Sequence, residues 1–403
     1  MTVIVVGGGA AGFFAAIHHQ TAHPGDTVII IEKSANLLSK VKISGGGRCN
    51  VTHACFTPNE LCTFYPRGGK ALLGPFHRFQ PRDTMAWFES RGVPLKIEAD
   101  NRVFPVSNNA DDIANCLLNE AKTLGIRIWT QCPIQRIQQS KAGHFEVLLT
   151  TGATHACDKL VLATGSNRQG HAFAAALGHA IVPPIPSLFT FKIADTALHR
   201  LSGLSVQHVA VRLGIGKKNQ STGPLLITHW GFSGPAIIKA SAWQAQALHD
   251  CGYCCPMTIH WLANMPCPAI EATLKTAISD RQHQTMRSHS PFSDLPNRLW
   301  AYLLARWGLA LPERWGQLTQ KHIHQLSHHL TNDSYQVTGK SPFKDEFVTC
   351  GGVALDEVHF TTMESRICPN LYMVGEVLNM DGVTGGFNFQ AAWTTGALAG
   401  GNY

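Results

Sequence analysis

A glycine-rich turn near the N-terminus has the spacing that binds the phosphates of an adenine dinucleotide. Gly7, Gly9 and Gly12 follow a β-branched run, and Glu32 closes a second such run. In this pattern the first glycine permits a tight turn, the second lets the backbone approach a pyrophosphate, and the third brings a helix close to a strand. The acidic residue accepts hydrogen bonds from the ribose hydroxyls. The motif therefore indicates dinucleotide binding, and it does not choose between NAD and FAD.

This turn can bind phosphate only if it joins a strand to a helix. Residues 3–6 and 28–31 are runs of valine and isoleucine, and the apolar residues 13–17 lie between them. The order strand, turn, helix, strand and acidic residue is the one that the mechanism needs, so we predict a dinucleotide-binding unit over residues 2–32. Its remaining cofactor-binding candidates are Ala10, Ala11 and Lys33.

A second glycine-rich segment, residues 39–52, carries side chains that suit a ligand-lining loop. Three successive glycines, Gly45, Gly46 and Gly47, rarely lie inside a helix or strand, so they predict a loop with unusual torsions or close contact with a ligand. A bare turn is the alternative. The Arg, Cys and Asn that follow at once favour the ligand-lining loop.

Two residues are candidate proton donors. The spacing between Cys49 and Cys55 differs from the four intervening residues of redox cysteine pairs in flavoproteins, so we expect no redox pair. Cys49 alone is a candidate donor, with a buried, inert thiol as the alternative. His229 lies in residues 228–236, where we predict a strand-to-helix turn with the helix starting near Pro235. It could deliver a proton to a substrate or be satisfied by its own loop.

Later segments add cofactor-binding candidates. Residues 158–165 and 371–376 each form a buried strand that ends in a turn of small residues. Residues 381–390 lead into a helix of small residues, whose N-terminal amides can stabilise negative charge on a reduced flavin ring. Because these segments and the N-terminal motif are expected to form one site, the first domain is predicted to be discontinuous. The added candidates are Ile134, Ala163, Thr164, Gly165, Gly385, Gly386 and Phe387.

Composition is that of a globular chain with two or three domains. The 403 residues contain no run of about 18 apolar residues, so no membrane span is expected. The first strand starts at Thr2 and leaves no room for a cleavable leader, which predicts a cytoplasmic location. The 12 cysteines lack regular spacing, which favours reduced thiols. Cys251 and Cys254 have the spacing of zinc ligands but no second pair, so we predict no metal.

The middle of the chain has the pattern of an inserted, positively charged region. Prolines at positions 183, 184 and 186 predict a boundary, the short strands after them predict a small β-barrel or sandwich, and residues 268–330 are mostly helical in pattern. Residues 188–344 contain 15 Lys and Arg against 7 Asp and Glu, whereas the rest of the chain contains 18 against 19. Charge scattered for solubility is one explanation, and an anionic partner such as nucleic acid is the other.

The chain resembles the YhiN/BaiN-like flavoproteins, also called the aminoacetone oxidase family of FAD-binding enzymes, in five segments: residues 7–12, 44–52, 228–236, 349–353 and 375–390. The resemblance covers nearly the whole chain in order, and the loop Ser-Gly-Gly-Gly-Arg-Cys-Asn is specific to the family. It implies an α/β fold in which a glutathione-reductase-like Rossmann domain binds extended FAD. The implied domains are residues 1–187 with 341–403 for FAD, 188–267 for an inserted β-barrel and 268–340 for a small helical subdomain.

The resemblance also implies roles for individual residues. It assigns Gly7, Gly9, Gly12 and Glu32 to the adenosine diphosphate half of FAD. It places the following residues around the flavin: Lys40, Ser44, Gly46, Arg48, Asn50, Gly375, Glu376, Gly386 and Asn388.

Three functions are open at this point. The first is a reductase that moves hydride from flavin N5 to an activated C=C bond, with Cys49 or His229 as proton donor and NAD(P)H bound transiently, since only one dinucleotide fingerprint is present. The family resemblance suggests a steroid-like enone, a small amine or uridine in ribosomal RNA as substrate, and the positive insert favours RNA. The second is an amine or aminoacetone oxidase that uses oxygen. The third is a non-catalytic, flavin-containing RNA-binding or assembly factor.

Overall fold

The valine and isoleucine runs on either side of the N-terminal glycines form two adjacent parallel strands. Branched side chains pack well on a pleated, buried surface, and every residue after the first in both strands is buried. The helix between these strands starts at Ala10, directly after the glycines. The strand, turn, helix and strand predicted over residues 2–32 are thus confirmed.

The computed structural model describes residues 1–216, 220–340 and 348–401. The chain divides into two units, one formed by Met1–Pro184 with Val348–Tyr403 and the other by Ile185–Phe347. The first unit is therefore built from both ends of the chain, and the second is one continuous segment. Among the described residues, no helix is long and apolar enough to cross a membrane.

The helices and strands before the insert, in chain order, are β1 (Thr2–Val6), α1 (Ala10–Ala22), β2 (Thr27–Ile31), α2 (Ser39–Gly47), β3 (Thr52–His53), α3 (Pro58–Cys62), α4 (Gly69–Arg78), α5 (Pro81–Glu89), β4 (Leu95–Ile97), β5 (Arg102–Pro105), α6 (Ala110–Thr123), β6 (Arg127–Trp129), β7 (Ile134–Gln139), β8 (Phe145–Leu149), β9 (Thr154–Cys157), β10 (Lys159–Leu162), α7 (Arg168–Ala176) and β11 (Ile181–Pro186). Those of the second unit are β12 (Phe191–Ile193), α8 (Thr196–His199), β13 (Ser205–Leu213), β14 (Gln220–Thr228), β15 (Gly231–Ser233), α9 (Pro235–Trp243), α10 (Ala245–Asp250), β16 (Cys255–His260), α11 (Cys267–Asp280), α12 (Asn297–Trp307), α13 (Gln320–Thr331) and β17 (Asp333–Lys340). The chain then returns to the first unit with β18 (Thr349–Val353), β19 (Val358–His359), β20 (Glu364–Ser365), β21 (Leu371–Met373) and α14 (Phe387–Ala399).

A seven-stranded sheet organises the first unit in the order β19-β20-β21-β10-β1-β2-β6. Its five strands from β21 to β6 are parallel to their neighbours, and β19 and β20 are antiparallel. Strand β21, which follows the insert, pairs directly with β10, which precedes it. Because sequence-distant strands pair here, the sheet cannot form without both ends of the chain.

The second unit is a closed six-stranded barrel with helices packed on it. The barrel order is β12-β15-β14-β13-β16-β17, and it decides between the barrel and the sandwich that the sequence left open. Its last strand, β17, lies inside residues 268–340, which the resemblance had placed in a helical subdomain. Buried and exposed residues alternate along β17, with Asp333, Tyr335 and Val337 buried. Because β17 follows almost directly on helix α13, the sequence contains little that marks the change from helix to strand.

Candidate functional site

Four predicted cofactor segments meet at the carboxyl edge of the parallel sheet. Gly7 follows β1, Glu32 follows β2, the turn of residues 163–165 follows β10, and Gly375 follows β21 shortly after its end. These strands are neighbours in the order β21-β10-β1-β2. Ligands of open parallel sheets bind at this edge. The fold therefore brings the N-terminal motif and the C-terminal segments together in the first unit.

The three fingerprint glycines differ in what surrounds them. A Cβ atom on Gly7 would lie 2.4 Å from the carbonyl oxygen of Ala163, and one on Gly12 would lie 2.0 Å from the carbonyl oxygen of Gly7. Gly9 has no atom within 4 Å of its Cβ position. Packing within the protein thus requires Gly7 and Gly12, whereas Gly9 borders open space that a pyrophosphate can approach. This cradle fits the diphosphate of FAD.

Helices α1 and α14 begin at glycines that offer no side-chain cap, as α4 and α9 also do. Helix α1 starts after Gly9 and helix α14 after Gly386, and neither N-cap residue makes a side-chain hydrogen bond to its helix. By contrast, the side chains of Asn109 and Asn167 cap α6 and α7. The first N–H groups of an uncapped helix need another acceptor, and an anionic group can serve as one. The two uncapped starts suit the pyrophosphate and the electron-rich edge of a flavin.

Glu32 is fixed by its own neighbourhood at the end of β2. One carboxylate oxygen accepts the N–H of Gly8 at 2.9 Å, and the other accepts the N–H and the hydroxyl of Ser34, both at 2.9 Å. A carboxylate has lone pairs beyond these three bonds, so Glu32 can also accept ribose hydroxyls. Of its neighbouring candidates, Lys33 is exposed, Ala10 is half-buried and Ala11 is buried.

The triple-glycine segment is a helix that unwinds into a loop. Helix α2 is assigned through Gly47, but its backbone leaves helical torsions at Ser44 (φ −65°, ψ 151°). The three glycines then have φ values of 58°, 70° and 82°, and Cys49 has 59°. Left-handed torsions are the reason that the segment needs glycine. Nothing lies within 4 Å of the Cβ positions of Gly46 and Gly47, so both border open space.

Lys40 joins the flavin-side segment to the C-terminal one. Its ammonium nitrogen lies 2.5 Å from the Glu376 carboxylate, whose other oxygen accepts the N–H of Thr349 at 3.1 Å. Arg48 points elsewhere, because its guanidinium lies 4.0 Å from the ring centre of Phe104 and 2.8 Å from the Glu98 carboxylate. Of these two predicted flavin neighbours, Lys40 is the one that reaches a second predicted segment.

Asn50 and Asn388 hold the start of α14 in place. With its amide oriented to satisfy both neighbours, Asn50 accepts the N–H of Gly386 and donates to the Thr52 carbonyl, each at 3.0 Å. Asn388 accepts the N–H of Gly382 at 2.8 Å and donates to its carbonyl at 2.9 Å. Both amides therefore shape the loop that ends at α14.

The turn after β10 contains a buried hydroxyl that packs against the first turn of α7. The Thr164 hydroxyl oxygen is buried and has no hydrogen-bond partner within the described ranges, and buried polar atoms ordinarily have one. Gly165 has φ 59°, and a Cβ atom there would lie 3.7 Å from the Glu376 carboxylate. Ile134 is buried in β7, and its carbonyl accepts the Gln169 amide at 2.6 Å. A Cβ atom on Gly170 would lie 1.8 Å from the Thr164 hydroxyl oxygen, so this hydroxyl faces α7.

The two candidate proton donors lie in different units. Cys49 is fully buried, and burial raises the pKa of its thiol to about 12, opposed by a hydrogen bond from Ser44. The burial of Cys49 agrees with the second of the two alternatives for this residue, a buried and inert thiol. His229 is exposed in the turn between β14 and β15 of the barrel. The predicted helix does start at Pro235, directly after the N-cap residue Gly234, but the short strand β15 separates it from His229.

Sequence reasoning missed an aromatic and polar cluster around α14. The Gln390 side-chain oxygen accepts the Thr52 hydroxyl at 2.6 Å and the Thr84 hydroxyl at 3.0 Å. The ring of Phe387 stacks on His53 (4.6 Å, 25°) and Phe64 (4.4 Å, 12°). These partners are far apart in sequence, so no spacing rule could have joined them. A histidine directly after the ligand-lining segment of residues 39–52 was the one signal present.

No three metal-ligating side chains of His, Cys, Asp or Glu type cluster within the described residues. Those parts of the chain thus contain no zinc-like set to join Cys251 and Cys254, which are partly and fully exposed respectively.

Comparison with known proteins places the whole chain in one family. A family model described as the HI0933-like protein Rossmann domain matches residues 1–402. The 3-dehydro-bile acid delta(4,6)-reductase of Clostridium scindens is 26% identical over 405 residues, which cover 98% of this chain and 97% of that protein. The ribosomal RNA dihydrouridine synthase of Escherichia coli is 28% identical over 390 residues, which cover 92% and 90%.

Solved structures share the fold at low identity. The 3-ketosteroid delta1-dehydrogenase of Sterolibacterium denitrificans, in complex with 1,4-androstadiene-3,17-dione, has a TM-score of 0.51 at 12% identity and covers 99% of this chain and 98% of its own. The FrdA chain of quinol fumarate reductase from Escherichia coli has a TM-score of 0.50 at 14% identity and covers 99% and 69%. With the family match and the glycine cradle, the conclusion is that the chain belongs to the HI0933-like family of FAD-dependent oxidoreductases, the YhiN/BaiN-like family that its motifs resemble.

Proposed function

We propose that this protein is an FAD-dependent reductase of activated C=C bonds and that its substrate is a uridine of ribosomal RNA. The observation that carries the FAD-dependent part is the cradle at the carboxyl edge of the sheet, where Gly9 and the start of α1 leave room for the FAD diphosphate. The names of the two relatives also agree in chemistry, since a delta-reductase and a dihydrouridine synthase both saturate a C=C bond.

The residues of this chain have three tasks in such a reaction. FAD, when bound, supplies the hydride chemistry. Glu32 and the start of α1 would hold its adenosine and diphosphate. The start of α14 offers backbone N–H groups that stabilise negative charge on a reduced ring. A proton donor must then complete the saturation, because hydride addition delivers only one of the two hydrogens.

The charge of the second unit supports RNA as the substrate. Seven of its cationic side chains are exposed, and none forms an ion pair with a carboxylate among the described residues: Arg200, Arg212, Lys275, Arg287, Arg298, Arg314 and Lys321. Cations without acidic partners are available to phosphates, whose counterions are released on binding. A steroid-like enone carries no comparable array of negative charge, so such a substrate would not use these seven cationic side chains.

Mass spectrometry of ribosomal RNA tests the proposal directly. Cells that lack this gene are compared with cells rescued by the wild-type protein, by Gly9→Ala or by Gly74→Ala. Gly9→Ala fills the space that the diphosphate needs, whereas Gly74 is an exposed helical glycine with nothing within 4 Å of its Cβ position. We expect a dihydrouridine to disappear in the deletion, to return with wild type and Gly74→Ala, and to stay absent with Gly9→Ala. Unchanged dihydrouridine in the deletion would remove RNA as the substrate.

A further inference from the structure

Saturation of a C=C bond needs a group that gives up a proton near neutral pH, and the groups around the flavin-side loop differ in this respect. Cys49 is enclosed, and burial raises the pKa of its thiol to about 12. Burial also raises the pKa of Tyr65 well above its ordinary value, and the Tyr65 hydroxyl donates to the Phe387 carbonyl at 2.6 Å. Neither is suited to donate a proton rapidly, since an efficient acid has a pKa near the working pH.

His53 lies in the first unit, beside the two elements expected to surround the flavin. It ends β3, three residues after Asn50, whose amide bonds the N–H of Gly386. Its ring stacks on Phe387, the first residue of α14, with ring centres 4.6 Å apart. A Cβ atom on Gly385 would lie 3.6 Å from the Cδ2 atom of His53. The imidazole therefore sits against the loop that presents the uncapped start of α14.

The surroundings hold the imidazole in place without enclosing it. Phe64 stacks on Phe387 and lies 5.6 Å from His53, centre to centre, so aromatic rings fix the position of the histidine. His53 itself is only half-buried. Arg102 lies opposite His53 in the pairing of β3 with β5, and its charge is offset by Asp100 at 2.7 Å and Glu98 at 3.5 Å. Histidine thus combines a fixed position with a side chain that ordinarily titrates near neutral pH.

We propose that His53 is the proton donor of the reaction, a role that rests on the reductase function proposed above. A two-electron-reduced flavin, when bound, would supply the hydride for a C–H bond at one carbon of the C=C bond and would thereby become oxidised, and the π electrons would move onto the adjoining carbonyl as an enolate. The imidazolium of His53 gives its proton to the other carbon as the enolate collapses. The neutral imidazole then takes a new proton from solvent.

The test uses the FAD-loaded protein and separates hydride transfer from flavin reduction. Wild type, His53→Gln and His77→Gln are reduced with dithionite without oxygen and mixed with a 4-en-3-one steroid or with ribosomal RNA from the deletion strain. The rate at which oxidised-flavin absorbance returns is measured across the pH range in which histidine titrates. His77 is exposed on α4 and serves as the matched control.

We expect the wild-type rate to fall as pH rises through the pKa of one histidine. His53→Gln should slow the reaction by about 100-fold or more and remove that pH dependence, while FAD content and dithionite reduction stay unchanged. His77→Gln should match wild type. An unchanged rate and pH profile in His53→Gln, or loss of the pH dependence in Cys49→Ala instead, would overturn the assignment of His53 and leave the reductase function standing.

Two further outcomes are decisive. If wild-type reduced flavin is not reoxidised by either C=C acceptor, the proposed function fails, and the role of His53 fails with it. If His53→Gln does not retain FAD, the kinetic test of that variant is replaced by an NMR titration that measures the pKa of His53 in the wild-type protein. Agreement between the pKa of His53 and the pKa that governs the wild-type rate supports the proposal, and disagreement overturns it.

Discussion

The carboxyl edge of the first unit and the barrel of the second unit use buried polar groups in opposite ways. In the barrel, Asp333 is almost fully buried, and its carboxylate accepts the indole N–H groups of Trp261 at 2.9 Å and Trp307 at 3.0 Å and also pairs with Arg306. At the sheet edge, Glu32 keeps lone pairs beyond its protein bonds, and α1 begins without a cap. The Asp333 cluster closes on itself, whereas the sheet edge keeps acceptor and donor groups available to a ligand.

This difference separates two functions of polar groups in one chain. A closed cluster contributes to stability, because removing one member leaves buried charge unpaired. An open edge contributes to ligand affinity and little to the fold. We therefore expect substitutions in the Asp333 cluster to lower the free energy of unfolding and to preserve FAD affinity in the protein that remains folded. Substitutions at the sheet edge should lower FAD affinity and leave the free energy of unfolding nearly unchanged.

Asp333→Ala should have the largest effect on stability. The change removes the closer of two carboxylates from Arg306, whose pair with Asp195 is 3.9 Å long, and leaves two indole N–H groups without their acceptor. It is expected to lower the free energy of unfolding by about 3–5 kcal/mol. Denaturant titration followed by tryptophan fluorescence measures it. Asp250→Ala, at an exposed aspartate of the same unit, should change stability by less than about 0.5 kcal/mol. Equal losses in both variants would contradict the closed-cluster account.

Acid sensitivity should come largely from the interior of the first unit. His18 packs against Phe14, Phe79 and Trp87, and burial, aided by the positive charge of Arg91, lowers the pKa of His18 from 6.5 to about 4. The unfolded chain then binds a proton more readily than the folded one. The stabilising contribution is fully present above pH 6.5 and is lost as pH falls toward 4, up to about 3 kcal/mol in total.

His18→Leu should remove that part of the acid sensitivity. The free energy of unfolding, measured near neutral pH and again near the folded pKa of His18, should fall less in the variant than in wild type. His77→Gln, an exposed histidine of the same unit, should behave as wild type does. If His18→Leu and wild type lose equal stability on acidification, the acid response arises elsewhere.

Gly9→Ala should separate ligand affinity from stability most clearly. Its Cβ atom meets no protein atom within 4 Å, so the thermal midpoint of the FAD-free protein should stay unchanged. The methyl group occupies the approach of the diphosphate, and we expect FAD affinity to fall at least about tenfold, which corresponds to about 1.4 kcal/mol. Fluorescence titration of the FAD-free protein measures the affinity, and Gly74→Ala is the control. A lower thermal midpoint together with unchanged FAD affinity would show that Gly9 contributes to the fold and not to FAD binding.

Lys40→Met should have the smallest effect on stability. The Lys40 side chain is 60% exposed, and exposed ion pairs contribute about 0–1 kcal/mol. The pair with Glu376 joins two cofactor segments, so FAD affinity is expected to change more than the free energy of unfolding does. Parallel FAD titration and denaturation of Lys40→Met and of Lys42→Met, whose 3.6 Å pair with Asp111 is also exposed, test this difference.

Local spacing was sufficient to predict the opening of the fold. Gly7, Gly9, Gly12 and Glu32 act within a single strand, turn, helix and strand, so their order in the sequence is also their order in space. The closed barrel required more, because β17 completes it by pairing with β12, a strand far away in sequence. No periodicity in either segment encodes that pairing.

The site residues differ in the same way, since some depend on local sequence and others on packing between distant segments. The need of the triple glycine for left-handed torsions follows from composition alone, and the structure confirms it. The stacking of His53 on Phe387 depends on segments from opposite ends of the chain, and the full burial of Cys49 is likewise a property of the folded protein. Such contacts arise from tertiary packing, so they became visible only in the folded structure.

The reductase claim is tested most directly by the reaction that reduces the flavin. The FAD-loaded protein is mixed without oxygen in a stopped-flow instrument with NADH, NADPH or aminoacetone, and the loss of oxidised-flavin absorbance is followed. A reductase should bleach rapidly with one of the nicotinamide donors and not with aminoacetone. Bleaching by aminoacetone and by neither nicotinamide would contradict the account and assign the protein to the oxidases.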